Sequence, residues 1–207
     1  MDYNNLLKRS FISFLFVFIY IFVSLYKFEY IFLLILLIYL LISLEVFINF
    51  LKLKLVIFLY LIISLFFLLN IDFNQYNYAK FNLMVVVIIS FDIFCYLTGK
   101  TMGKNKISKT ISPNKTYEGL IGGIIFSLLI SLLYSYYINL KFSVFLLFFI
   151  LLIILSSFTG DMIESYFKRQ NNIKNSSNYL PGHGGFFDRF DSFIVSIVTY
   201  YFIVDLL

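Results

Sequence analysis

The twelve residues Pro181-Gly182-His183-Gly184-Gly185-Phe186-Phe187-Asp188-Arg189-Phe190-Asp191-Ser192 hold the only histidine of the chain. They also hold one of its two prolines, three of its nine glycines and two of its eleven acids. The surrounding sequence of 207 residues is 61% hydrophobic. Glycine, charge and imidazole gathered against such a background build a polar site. A Pro-Gly turn between two helices is the plain alternative. A turn needs no Asp-Arg-x-Asp behind it, however, and charge beside a membrane is costly.

A second group of acids precedes this segment, in Gly160-Asp161-Met162-Ile163-Glu164-Ser165-Tyr166-Phe167-Lys168-Arg169. If a helix continues through it, Asp161, Glu164, Ser165 and Lys168 fall at i, i+3, i+4 and i+7 and share one face. A solvated face carrying a charge pair would show the same spacing. Asp188 and Asp191 also stand three apart, at the entry to a later helix. The short, glycine-flanked link between the groups would fold these acids back towards Asp161. Carboxylates brought together repel, and a divalent cation is the usual way to keep them ionised. Oxygen donors of this kind suit Mg²⁺ at a phosphate-handling site. One histidine and one remote cysteine, Cys95, argue against zinc.

A third polar stretch reads Gly99-Lys100-Thr101-Met102-Gly103-Lys104, then Ile111-Ser112-Pro113-Asn114-Lys115-Thr116-Tyr117-Glu118-Gly119. Glycines let backbone N–H groups approach a phosphate, and lysines add positive charge beside them. The glycine-to-Gly-Lys spacing is not that of a nucleotide-binding P-loop, and a solvated loop fits equally well. Gly119, Gly122 and Gly123 open the next helix at a spacing suited to close helix packing. Asp92 lies eight residues before Lys100, about 12 Å along a helix, and a carboxylate at that depth is a functional candidate. Glu45 raises the same question with less support, because it falls near the end of its own apolar run.

The elements that must carry these residues follow from hydropathy. Only 13% of the residues are charged, against roughly a quarter in soluble domains. Apolar runs predict seven helices, at about 11–26, 30–50, 55–69, 81–98, 119–140, 143–160 and 191–207. The expected fold is therefore all-α: a polytopic helical integral membrane protein of about seven transmembrane helices. Lys8 and Arg9 before the first run look superficially like a secretory leader, but no small-residue cleavage site follows, so the run reads as the first span. With the N-terminus inside, 13 of the 16 Lys and Arg residues fall on inner segments, leaving Lys27, Lys80 and Lys141 outside. This bias predicts a cytoplasmic N-terminus and places both long polar loops on the cytoplasmic side. The net charge of +5 is mostly this topological bias, with no case for nucleic-acid binding. A single cysteine excludes an internal disulfide. All nine glycines and both prolines lie between Gly99 and Gly185. The expected organisation is one membrane domain over 1–207, with scaffold helices in 1–80 and catalytic helices and loops in 81–207.

Taken together, these residues resemble a known family. Ser165-x-x-Lys168-Arg169, Lys174, Leu180-Pro181-Gly182-His183-Gly184-Gly185 and Asp188-Arg189-x-Asp191-Ser192 look like the signature of phosphatidate cytidylyltransferases, also called CDP-diacylglycerol synthases. Gly160-Asp161-x-x-Glu164-Ser165 and Ser112-Pro113-x-Lys115-Thr116-x-Glu118-Gly119-x-x-Gly122-Gly123, with the preceding Asp92, Gly99 and Gly103, match the companion motifs. The likeness covers about 92–192, half of the chain, and departs at Asn175, where the family usually has aspartate. It implies an Mg²⁺-dependent reaction of CTP with phosphatidic acid to give CDP-diacylglycerol and pyrophosphate, in the inner cell membrane, with the active site facing the cytoplasm. A second cation and a homodimer stay open. On this reading Asp161 and Asp188 hold the metal, with Asp92 and Glu164 as further candidates. Lys115, Lys168, Arg169 and Arg189 neutralise phosphate charge, His183 donates to a phosphate oxygen, and Asp191 orients Arg189 or completes the ion shell. Ser112, Lys115, Thr116, Ser165, Lys174, Gly182, Gly184 and Gly185 bind substrate. The competing readings are another CTP-dependent membrane lipid kinase or cytidylyltransferase, and a small transporter using Asp92 and Glu45.

Overall fold

In a bilayer no water satisfies backbone polar groups, so a chain this apolar must close its hydrogen bonds within helices. The computed structural model describes residues 3–73, 78–180, 182 and 184–207, and at 3–13 and 206 the backbone alone. Among the described residues the protein is all-α. Its helices are α1 (Tyr3–Tyr26), α2 (Glu29–Asn49), α3 (Lys54–Leu69), α4 (Tyr78–Met102), α5 (Tyr117–Tyr137), α6 (Val144–Gln170) and α7 (Phe187–Ile203). The only extended pairings described are two isolated bridges, Lys106–Thr116 and Leu180–Gly184.

Four helices, α2, α4, α5 and α6, are long and apolar enough to cross a membrane. Their outward faces carry large apolar side chains, among them Leu33, Leu37, Ile93, Leu129 and Leu155. So much exposed hydrocarbon marks a surface made for lipid, and the protein is a multi-pass membrane protein. The expected helix set is found, with shifted ends. The sixth helix runs ten residues past its expected end and α7 begins four residues early. Hydropathy locates the hydrocarbon slab, whereas backbone hydrogen bonding continues wherever side chains allow it.

Contacts divide the chain into two compact units. One comprises Met1–Tyr78 with Phe167–Phe190, the other Ala79–Tyr166 with Asp191–Leu207. In the first, Ile31, Ile35, Ile42 and Val46 of α2 form a buried stripe, as do Ile57, Leu61 and Leu68 of α3. Tyr39 and Ser64 share a hydroxyl hydrogen bond of 2.5 Å between those helices. Asn171 clamps the α2–α3 link: its Oδ1 accepts from the backbone N–H of Leu51 (2.8 Å) and Lys52 (2.6 Å), and its Nδ2 donates to the carbonyls of Lys52 and Phe167.

In the second unit the core is Phe81, Met84, Val87 and Phe91 of α4, Phe149, Ile150, Ile153 and Ile154 of α6, and Ile194, Ile197 and Tyr200 of α7. The Tyr200 ring meets Phe81 and Phe149 edge-on, with centroids 5.6 and 6.1 Å apart, a favoured aromatic geometry. The expectation of close packing at Gly119 and Gly123 holds. A Cβ on Gly119 would stand 2.8 Å from the Cys95 carbonyl, and one on Gly123 would stand 3.0 Å from the Phe91 ring.

Candidate functional site

In the second unit, the loop before α5 is drawn into a narrow hairpin that fixes Lys115. The N–H of Ile107 donates to the Lys115 carbonyl (3.0 Å), and that of Tyr117 to the Asn105 carbonyl (2.9 Å). Thr116 then caps α5, its Oγ1 accepting from the N–H of Gly119 at 3.1 Å, a residue type well suited to that position. The Glu118 carboxylate holds the other strand of the hairpin by accepting from the backbone of Lys104 and Asn105 and from Asn105 Nδ2. The Lys115 ammonium ends 2.6 Å from Asp161 Oδ2 and 4.7 Å from the centre of the Phe158 ring. An aromatic face helps hold a partly desolvated cation.

Asp161 does not stand alone. One carboxylate oxygen each from Asp161, Glu164 and Asp191 lie within 4.8 Å of one another. Glu164 and Asp191 are buried, and the Asp161 side chain keeps a third of its surface accessible. Two features of α6 and α7 build this group. Helical spacing sets Asp161 and Glu164 on one side of α6, where Ser165 Oγ donates to Asp161 Oδ1 at 3.3 Å. Gly160 then lets α7 approach, since a Cβ there would collide with the Asp191 carbonyl oxygen and stand 3.0 Å from Ser192 Cα. Asp92 of α4 belongs to the same neighbourhood: Ser157 Oγ lies 3.5 Å from its Oδ1, and Asp161 and Lys115 are the charges acting on it. The Asp92 side chain is exposed. Three carboxylate oxygens this close repel one another when ionised, and a cation among them would relieve that repulsion. With oxygen donors and no sulfur or imidazole, the set fits a hard ion such as Mg²⁺.

The first unit holds a second lysine–aspartate pair, Lys168 with Asp188, at 2.7 Å and largely buried on both sides. Here the carboxylate is engaged throughout. Lys168 takes Oδ1, while Oδ2 accepts from the N–H of Ser176 (2.8 Å), Ser176 Oγ (3.0 Å) and the N–H of Gly185 (2.8 Å). Gly182 and Gly184 have φ of 77° and 82°, the left-handed region in which glycine is at home. A Cβ on Gly184 would also collide with Asp188 Oδ2.

Glu45 of α2 reaches this loop as well. It is fully buried and lies within hydrogen-bond distance of four donors, one of which, the Ser176 hydroxyl, shares its single proton with Asp188. Oε1 takes Ser177 Oγ (2.7 Å) and the N–H of Phe186 (2.8 Å), and Oε2 takes Ser176 Oγ (3.1 Å) and the N–H of Phe187 (3.0 Å).

The remaining expected site residues divide plainly. Ser112 offers its carbonyl to the N–H of Lys115 at 3.3 Å. Arg169 donates to the Ile173 carbonyl at 3.3 Å, and Lys174 and Arg189 are exposed. Thr116, Ser165 and Gly185 spend the described hydrogen bonds inside the protein. His183 lies outside the described residues. Sequence reasoning missed Ser176, Ser177 and the role of Glu45. The one available signal was a carboxylate in an otherwise apolar helix.

Comparison with known proteins agrees with this chemistry. A stretch of 136 residues is 39% identical to a phosphatidate cytidylyltransferase of Bacillus subtilis, covering 65% of this chain and 51% of that protein. Similarity to phosphatidate cytidylyltransferases of Staphylococcus aureus reaches 47% over 104 residues, 50% of this chain and 40% of the relative. For that of Staphylococcus saprophyticus it is 44% over 120 residues, 57% of this chain and 45% of the relative. The chain thus spans about half the length of the curated relatives it matches. The sequence profile of the cytidylyltransferase family matches residues 2–207, and the chain belongs to that family.

Proposed function

We propose that the protein transfers the cytidylyl group of CTP to phosphatidic acid, releasing pyrophosphate and leaving CDP-diacylglycerol in the membrane. The observation that carries this reading is the Lys115–Asp161 pair set beside Glu164 and Asp191. A cation and a group of hard oxygen ligands meet there, in a chain of the cytidylyltransferase family. The similar proteins named phosphatidate cytidylyltransferase supply the choice of lipid.

In this reaction a phosphate oxygen of phosphatidate attacks the α-phosphorus of CTP. A new P–O bond forms, the bond from that phosphorus to the β-phosphate bridge breaks, and pyrophosphate leaves with the electron pair. Both reactants are polyanions, so the chain must supply positive charge more than a strong base. Lys115 is held for this by Asp161 and Phe158, and Lys168 is held by Asp188. Arg169, Lys174 and Arg189 would add charge for the phosphates, and His183 a hydrogen-bond donor. Asp161, Glu164 and Asp191 would hold Mg²⁺, with Asp92 beside them. Bound there, the ion would draw charge from phosphate oxygens and from the leaving group. Asp188, saturated by its own donors, is assigned instead to fixing Lys168. Thr116, Ser165 and Gly185 would shape the site through the contacts already described. Glu45, sealed and fully hydrogen-bonded, offers little to a passing ion, which favours an enzyme over a transporter.

The lysine and arginine bias favours an active site on the cytoplasmic side of the cell membrane, where CTP is dissolved. The test is direct. Purified protein in detergent, given labelled CTP, phosphatidate and Mg²⁺, is expected to yield pyrophosphate and a lipid-soluble cytidine product in equal amounts. Release of CDP together with a phosphorylated lipid would overturn the assignment in favour of a kinase.

A further inference from the structure

A carboxylate buried in an apolar helix is retained only where its surroundings repay the loss of water. Glu45 meets that condition in an unusual way. Each of its oxygens faces one hydroxyl and one backbone N–H, the Ser176 proton being shared with Asp188, and all four donors come from the segment 176–187. Two of those donors, the N–H groups of Phe186 and Phe187, sit at the start of α7, where a negative charge complements the helix dipole. Gly185 and Ser176 are packed against the carboxylate so closely that a Cβ on Gly185 would collide with Ser176 Oγ and stand 2.5 Å from Glu45 Oε2. Rings fasten the same residues from outside: Phe16 meets Phe186 edge-on at 6.2 Å, and Phe50 lies 6.0 Å from Phe187.

Ser176 links this arrangement to the charged pair. Its hydroxyl lies 3.1 Å from Glu45 and 3.0 Å from Asp188, and its N–H donates to Asp188. Asp188 in turn grips Lys168. We infer that Glu45 is a positioning residue for the cytidylyl transfer. Through Ser176 and the start of α7 it sets the place of Asp188, and through Asp188 that of Lys168. The inference rests on the proposed function for its catalytic part. Its structural part stands on the hydrogen bonds alone.

The obligatory donors make the idea sharp. Glutamine has the volume of glutamate but only one acceptor oxygen. In Glu45→Gln, whichever way the amide turns, an N–H of Phe186 or Phe187 faces an NH₂ group. A side chain that merely fills space would tolerate this change. Instead, Glu45→Gln and Glu45→Ala are both expected to lower kcat for CDP-diacylglycerol formation by about tenfold or more, as misplacement near a reacting centre does. KM for CTP and phosphatidate should stay within about threefold in the same variants. Glu45→Asp, which keeps two oxygens, should recover part of the loss.

Hydrogen exchange on the full chain in detergent supplies a readout independent of activity. The amides of Gly185, Phe186 and Phe187 should exchange at least about tenfold faster in Glu45→Gln, with the core of α4 unchanged. Should the Glu45 variants fail to fold, Ser177→Ala removes a single donor and should raise exchange at Phe186 and lower kcat about twofold to threefold. Wild-type kcat and exchange in Glu45→Gln, or in Ser177→Ala where the former does not fold, would overturn the inference. So would a lower melting temperature with both quantities unchanged. A wild-type protein that makes no CDP-diacylglycerol would remove the proposed reaction, and the exchange measurement would still decide the role of Glu45.

Discussion

Two lysine–aspartate pairs, one in each compact unit, look interchangeable by distance and are opposite in character. Lys115 and Lys168 are equally buried, and each lies about as close to its carboxylate as the other. Asp188, however, answers to Lys168, two backbone N–H groups and a Ser176 hydroxyl it shares with Glu45, and is nearly sealed. Asp161 accepts from Lys115 and Ser165, keeps accessible surface and stands with Glu164 and Asp191. A saturated carboxylate organises the chain around it; an open one among other acids is available to something arriving from outside. On the proposed assignment, carboxylates of neighbouring motifs divide between building a site and serving it. Neither short ion pair is itself an argument for stability, because desolvation offsets much of the attraction.

The most severe test of this contrast is Asp161→Asn. It is expected to cut CDP-diacylglycerol formation by about a thousandfold and to raise the half-maximal Mg²⁺ concentration more than about tenfold. Membrane insertion, followed by detergent extraction and gel filtration, should be normal. Asp188→Ala should come next, with about a hundredfold loss of kcat and a lower melting temperature, since it strands Lys168 and two backbone N–H groups. In the conservative Asp188→Asn the half-maximal Mg²⁺ concentration should stay within about threefold of the wild type. A large rise there would erase the distinction between the two aspartates. Gly160→Ala should cost about tenfold in kcat by pushing Asp191 from its companions, again with a raised Mg²⁺ requirement. The smallest effect is expected for Asn171→Ala. Loss of its four hydrogen bonds should lower stability by about 1–3 kcal/mol, seen as a lower melting temperature, with turnover per folded molecule unchanged.

Much of the architecture was readable from the chain. Runs of Phe, Leu and Ile mark spans whatever they pack against, so the seven helices could be counted without knowing their neighbours. Asp161, Glu164 and Ser165 could be grouped because helical spacing is local. Asp191 was harder to place: its approach depends on Gly160, and a lone glycine does not say which backbone comes near. Glu45 was the least readable, since its partners lie 131 to 142 positions away and nothing near it in sequence hints at them. Asp188 was read as a metal ligand from its company of glycine and histidine. What could not be read from the chain is that Gly184 and Gly185 vacate space for carboxylate oxygens, which lets the backbone N–H of Gly185 reach Asp188.

The long reach of Glu45 carries a consequence for biogenesis. A ribosome releases α2 well before Ser176, Ser177 and the start of α7 exist. During that interval the nascent span bears an acid with no donors to meet it. It lies four residues from the end of α2, and a charge near the end of a span costs less in a bilayer than one at its middle. Only when the last helix arrives can the acid be drawn inward, so the late-made part of the chain completes the seating of the early one.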